Sequence, residues 1–213
     1  MGMTDLSSTA DQLGFDSLLS DADTENAARV FERETAHLPA TLDLALPYFR
    51  DLLRQNHAAM LAADVEETKR LHDEARLLAR KLNDGQPGII ADDDAPGCVL
   101  TRETAASEGT VPRWGQTGSF IIEAGGLRVR IEMEGMFGIG GGWGFWPGFS
   151  AHAVDLDAPF LSETGYRSFL GVHAAPAPGH TPESFAVMIV EHYVSALLKG
   201  RPLKINARYR DRA

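Results

Sequence analysis

The spacing of apolar positions divides the chain into a helical first part and a stranded second part. Ala28, Phe31 and Thr35 recur at helical steps after Thr24, a residue type that caps helices, and Pro39 stops the run, so a first helix is expected from Asp23 or Thr24 towards His37. Leu42, Leu46, Phe49, Leu52, Leu53, Met60 and Leu61 follow at steps of three and four over residues 41–62. Pro47 lies inside that stretch and either marks the first turn or kinks the helix, because it has no N–H and crowds the preceding turn. Asp64 with Glu67 three places on reads as a capping box. The helix it opens has Val65, Thr68, Leu71, Ala75, Leu78 and Leu82 on one side, and ends at Asn83-Asp84-Gly85. Two helices joined by so short a link must run antiparallel, as an αα-hairpin.

Periodicity then lapses. Residues 86–118 carry Pro87, Gly88, Asp92 to Asp94, Pro96, Gly97, Gly109, Pro112 and Gly115, which predicts a linker or long loop with one short strand at 98–102. Beyond it the period becomes two. Residues 119–124 lead to Gly125-Gly126, and Leu127, Val129, Ile131 and Met133 then alternate with Arg128, Arg130, Glu132 and Glu134, the pattern of a β-hairpin with one wet face. Further strands are expected over 150–156 and 166–172. Thr181-Pro182-Glu183 opens a last helix, predicted to bury Phe185, Met188, Ile189, His192, Tyr193, Ala196 and Leu197 and to close at Gly200.

The predicted class is therefore α+β: an N-terminal αα-hairpin with an extra helix, then a small antiparallel sheet packed by a C-terminal helix. Four segments follow: a flexible stretch over 1–22, an acidic helical domain over 23–85, a linker or long loop over 86–118, and a sheet-and-helix domain over 119–213. The 213 residues, 44% hydrophobic and 23% charged, have an ordinary globular balance that argues against wholesale disorder. No apolar run nears the ~20 residues of a membrane span, no secretory pattern opens the chain, and a single cysteine suits a reducing compartment, so a cytoplasmic protein without membrane contact is expected.

Charge adds an asymmetry. Residues 1–94 hold 19 acidic against 9 basic side chains, whereas 95–213 hold 11 of each. A basic tail from Lys199 to Arg212 ends the second part. Acidic surfaces repel nucleic acid and attract basic protein faces, which makes Glu66 and Asp73 candidate partner-binding residues. Nucleic acid is expected to touch only the tail, which otherwise folds back on the acidic helices or pairs between copies.

The most unusual composition is residues 136–149, MFGIGGGWGFWPGF. It has neither the lysine and hydroxyl of a phosphate loop nor a following helix, so no nucleotide or other cofactor is expected. Its glycines let Phe137, Trp143, Phe145, Trp146 and Phe149 pack closely or form a stacking surface, and Trp143, Phe145 and Trp146 are candidate contacts to a partner. Residues 162–169 crowd Glu163, Tyr166 and Arg167 into one corner. With His152 they form the alternative site, an acid–base pocket. Histidine spacing matches no metal motif, no serine-nucleophile elbow occurs, and Cys98 has no basic neighbour nearer than Arg102 to activate it.

The run from Pro159 to Phe169, continued by Pro182 and by Leu198-Lys199-Gly200, resembles uncharacterised proteins carried on plasmids and other mobile elements of proteobacteria, over about fifty C-terminal residues. The resemblance implies a setting of accessory genes, in which small acidic proteins inhibit host defence or regulate transfer, and no site residues. The expectation is a non-enzymatic interaction protein, self-associating or bound to a protein partner, with a small enzyme as the alternative.

Overall fold

The computed structural model describes residues 23–89, 92–138, 145–170, 172 and 174–212. The chain divides at Leu38 into two units. In the first, residues 23–35 form helix α1, in which Glu25 and Arg29 pair at 3.1 Å. The Thr35 hydroxyl donates to the Phe31 carbonyl at 2.8 Å, a back-bond typical of threonine near a helix end.

The second unit, from Pro39 onward, is α+β. Helix α2 (Leu42–Ala62) follows Thr41 and continues past Pro47, giving up one ladder bond because that residue has no N–H to donate. Ala63 ends it in the left-handed conformation at φ 57°, and the chain turns into α3 (Val65–Leu82). The expected capping box forms by half. The Asp64 side chain accepts from the Glu67 N–H at 3.0 Å, but the Glu67 carboxylate turns outward to take two bonds from Arg70, at 2.7 Å each, because a charged fork outcompetes a single backbone donor. α2 and α3 pack through Phe49, Leu52, Leu53, Met60, Leu71, Ala75 and Leu78, all buried, and make the predicted hairpin.

The segment read as a linker or long loop contains helix α4 (Pro96–Glu103), where a strand over 98–102 was expected. The Pro-Gly pair that reads as a turn serves instead as the first helical turn: proline's fixed φ suits it, and Gly97 lies so near the Gly88 carbonyl that any Cβ would stand 2.6 Å from it. Trp114, further along the same segment, has no exposed surface.

Four antiparallel strands follow in chain order, β1 (Thr117–Ala124), β2 (Leu127–Glu134), β3 (Phe149–Ala153) and β4 (Tyr166–Phe169). Gly125 and Gly126, at φ 59° and 75°, form the two-residue β1–β2 turn, whose paired positive φ values match the twist of the strands. Phe120, Ile122, Val129, Ile131, Met133, Phe149, Ala151 and Phe169 face inward, and Ile121, Arg130, His152 and Tyr166 form one row across the outer face.

Helix α5 (Pro182–His192) covers the inner face behind the expected Thr181 cap, whose partner in a reciprocal capping box is Ser184. It buries Phe185, Ala186 and Val190, continued by Val194 in a π-turn over Tyr193–Leu197. The predicted stripe is therefore rotated: Met188 is 37% and Leu197 65% exposed. Apolar residues occupy every position from Phe185 to Val190, so spacing alone leaves the buried face undecided, and packing on the sheet chooses it. The basic tail returns to the sheet module. Leu203 bridges Phe160, Ile205 is buried in the core, and Arg210 reaches Asp157 at 3.0 Å.

Candidate binding cleft

Two adjacent residues of α2 hold the Trp114 loop against the hairpin. The Asn56 side-chain N–H donates to the Trp114 carbonyl at 2.9 Å, and the Trp114 N–H donates to His57 Nδ1 at 3.2 Å. The Trp114 indole N–H donates to the His180 carbonyl at 2.7 Å, next to Gly179, whose N–H donates to the Leu61 carbonyl at 2.8 Å. One tryptophan thus joins α2, its own loop and the start of α5. Its ring packs on Trp146 at 5.7 Å and on Phe185 at 5.6 Å, and Trp146 and Phe185 stack at 4.6 Å. Offset and edge-on geometries of this kind add to the burial of three large rings.

Beside this cluster a cleft of about 340 Å³ opens between α2–α3 and the segment 145–147. Met60, Trp114 and Asn56 form its floor; Phe145 and Pro147 line one side, and Val65, Lys69, His72, Asp73 and Arg76 of α3 the other. Gly115 lies at the junction with φ 85°, and a Cβ there would stand 2.7 Å from Asn56 Nδ2 and 2.8 Å from Met136 Cγ, so glycine keeps both the turn and the clamp. Asn56 Oδ1 is buried without a hydrogen-bond partner among the described residues.

His57 is half-buried, and burial first, then the nearby Arg113 charge, hold its pKa below the ordinary 6.5. Its Nδ1 can accept the Trp114 N–H only while unprotonated. The unfolded chain binds this proton more readily than the folded one, so the contribution of His57 is fully present above pH 6.5 and declines as pH falls towards the folded pKa. Chemical denaturation from pH 7.5 to 5 is expected to show a loss of stability that is smaller in His57→Asn, whose amide oxygen accepts without titrating. Equal slopes would mean that the clamp does not sense the proton.

The predicted residues are dispersed. Trp143 lies outside the described residues. Trp146 is 3% exposed and belongs to the core, which leaves Phe145, half-buried at the cleft, as the described candidate of that window able to meet a partner. Asp73 borders the cleft 3.6 Å from Arg76, and Glu66 is exposed one residue from Val65. Residues 39–82 hold seven acidic and seven basic side chains, so the excess acid belongs to 1–38 and 83–94 and not to the hairpin that carries Glu66 and Asp73. Much of α3 is internally compensated: Arg70 bridges Glu67 and Glu74, and Glu74 also accepts from the Tyr48 phenol. The Arg70 bond holds the Glu67 carboxyl below the usual range, and burial, then the Glu74 bond, holds the Tyr48 phenol above its own.

The alternative acid–base set does not converge. His152 and Tyr166 face each other on the outer sheet face, rings 5.1 Å apart, with Glu132 Oε2 3.0 Å from His152 Nε2 but not aligned for a hydrogen bond. Arg167 follows Tyr166 along β4 and so projects from the opposite face, where it lies 4.7 Å from the Tyr193 ring. Glu163 is exposed in the preceding turn. Among the described residues no three His, Cys, Asp or Glu side chains gather as a metal-binding group, and no helix is long and apolar enough to cross a membrane.

Sequence reasoning passed over Asn56, His57 and Trp114. A signal for the first was present: an amide at the helical spacing of Phe49, Leu52, Leu53 and Met60 is a polar group on a buried face and calls for a partner. Nothing local announced that the partner was 58 residues away.

Residues 117–204 match the KlcB third domain. These bounds run from the first residue of β1 to the strand-like bridge of Leu203, the sheet module with α5, and are wider than the fifty C-terminal residues of the resemblance drawn from sequence. The chain is 37% identical to a Protein KlcB of Escherichia coli over 184 residues, which is 83% of this chain and 42% of that protein. A second Protein KlcB of E. coli is 36% identical over 177 residues, 75% of this chain and 36% of the relative. The chain therefore spans about two fifths of the length of the curated KlcB proteins it matches. No solved structure matches it.

Proposed function

We propose that the protein binds a macromolecular partner, a protein, through the cleft between α3 and residues 145–147, as an accessory or inhibitory component of a mobile element. The observation that carries this reading is that the two regions with recognition chemistry, the polar side of α3 at Lys69, His72 and Asp73 and the aromatic segment at Phe145, border one open cleft although 72 positions separate Asp73 from Phe145. An apolar floor rimmed by charged side chains is the arrangement in which a few anchor residues carry most of an interaction. The mobile-element setting is supported by the likeness to Protein KlcB and by the C-terminal resemblance. A cytoplasmic location and self-association through the same face belong to this reading.

The test is capture of partners by the tagged full chain from cells of its natural host, compared with Phe145→Ala and with Lys69→Glu, which reverses the exposed cation on the cleft rim. The expected result is at least a tenfold loss of the captured protein in both variants. Lys69 is exposed, so its variant should melt within a few degrees of the parent, and Phe145→Ala, which gives up an edge contact with Trp146 at 4.8 Å, is compared at a temperature where it stays folded. Undiminished capture by both variants sinks the proposal.

A further inference from the structure

We infer that the cleft receives an aromatic side chain that carries an N–H or O–H donor and stands beside a carboxylate, such as a tryptophan or tyrosine next to an acidic residue of the partner. The inference deepens the binding role proposed above and rests on it. Its first ground is shape. A cleft of about 340 Å³ is at the small end of sites that enclose a ligand, the size for one ring and its immediate neighbours. Phe145 and Pro147 on one side and Val65 on the other offer flat apolar contact, over which a ring gains edge or stacking geometry beyond simple burial.

The second ground is the unpaired acceptor. The bond from Asn56 Nδ2–H to the Trp114 carbonyl fixes which end of the amide is which, since the reversed amide would set two oxygens against each other. Oδ1 is therefore an acceptor, and it is buried without a partner. That oxygen already carries the cost of a buried acceptor without a partner, which an apolar occupant leaves in place and an occupant that brings a donor within reach of it removes. The third ground is charge. Lys69 makes no ion pair among the described residues, and Arg76 meets Asp73 only at 3.6 Å. A basic side chain would supply donors for Asn56 but would meet these two cations at the mouth; a carboxylate beside the ring meets them favourably. His72 and Asp73 are the other titratable groups on that rim.

Small probes on the full chain test this apart from any partner. Indole-3-acetate, followed by amide NMR, is expected to bind at roughly millimolar affinity and to shift the Asn56 side-chain and Trp114 backbone signals. 1-Methylindole-3-acetate, without the donor, is expected to bind about tenfold more weakly. 3-Methylindole, without the carboxylate, should bind several-fold more weakly and without salt dependence. Lys69→Gln, a surface change that leaves the fold intact, should abolish the advantage of indole-3-acetate over 3-methylindole, and Phe145→Ala should weaken all three. Equal binding of the methylated probe, signals that move only away from the cleft, or no binding up to the solubility limit would each overturn the inference. Probe binding as described, in a chain whose Phe145→Ala and charge-reversed forms still capture the partner, would uphold the chemistry of the cleft and refute the binding role; loss of capture without probe binding would do the reverse.

Discussion

Replacing Trp114 by alanine is expected to remove about 3–5 kcal/mol of folding stability. Three terms act together. The ring has no exposed surface and packs against Trp146 and Phe185, so its removal leaves a large cavity among rings that cannot collapse without breaking their own stacking. The His180 carbonyl loses the indole N–H, and the loop that Asn56 and His57 hold loses the mass that anchors it. Domains have only ~5–15 kcal/mol to lose, so the variant should populate unfolded molecules at ordinary temperatures. Urea denaturation measures the loss directly. Trp114→Phe separates the terms: it keeps most of the apolar volume and forfeits the bond to His180, and a loss of about 1–3 kcal/mol is expected. A Trp114→Ala chain destabilised by less than 1 kcal/mol would show that the hairpin and the sheet do not depend on this residue for their junction.

The second large effect is a charge placed where the structure has an amide. Asn56→Asp is nearly isosteric, but at neutral pH it sets a carboxylate, at a position 1% exposed, against the Trp114 carbonyl oxygen in place of a donor. Leaving an uncompensated charge at such a site costs roughly 3–5 kcal/mol. The pH dependence carries the proof. Burial disfavours the charged form, so the folded-state pKa of the new carboxyl stands above the ordinary value of about 3.9. A raised folded pKa makes the variant most stable below the unfolded pKa, and that stability is lost as pH rises through the folded value. The deficit relative to the parent chain should therefore shrink from pH 7.5 to pH 4.5, since the protonated carboxyl can again donate to the Trp114 carbonyl. Asn56→Leu, with no titrating group, should show a deficit that does not vary with pH. A pH-independent deficit in Asn56→Asp would refute the buried clamp.

Both variants act at a point that local pattern does not reveal. The α2–α3 hairpin was legible because its apolar stripe repeats every three or four residues and Asp64 and Asn83-Asp84-Gly85 bound its second helix, and the β1–β2 hairpin because strict alternation flanks a glycine pair. The strand expected over 98–102 is a helix, because Pro96 and Gly97 serve equally well to make a turn or to begin a helix, and the nearby Gly88 backbone selects the second. The aromatic window was recognisable as unusual, but its division between core and surface was not. Trp146 faces Phe185 and Trp114, and Phe145, one residue away, faces the cleft; consecutive residues on an irregular segment point wherever their neighbours leave room. The candidate acid–base corner is divided for a related reason. Closeness in sequence on a strand sends adjacent side chains to opposite faces, so Tyr166 and Arg167 could not share a pocket once β4 formed.

By itself the sequence determined the α2–α3 and β1–β2 hairpins and the cap that opens α5, since these depend on periodicity and on residues that start or stop a run within a few positions. Only the tertiary structure decided that Asn56 and His57 grip Trp114, that α5 turns Phe185 and Val190 inward, and that α3 and Phe145 enclose one cleft. Those outcomes depend on which buried polar groups find partners and which rings fill which spaces, and such partners are brought together by the fold from positions tens of residues apart.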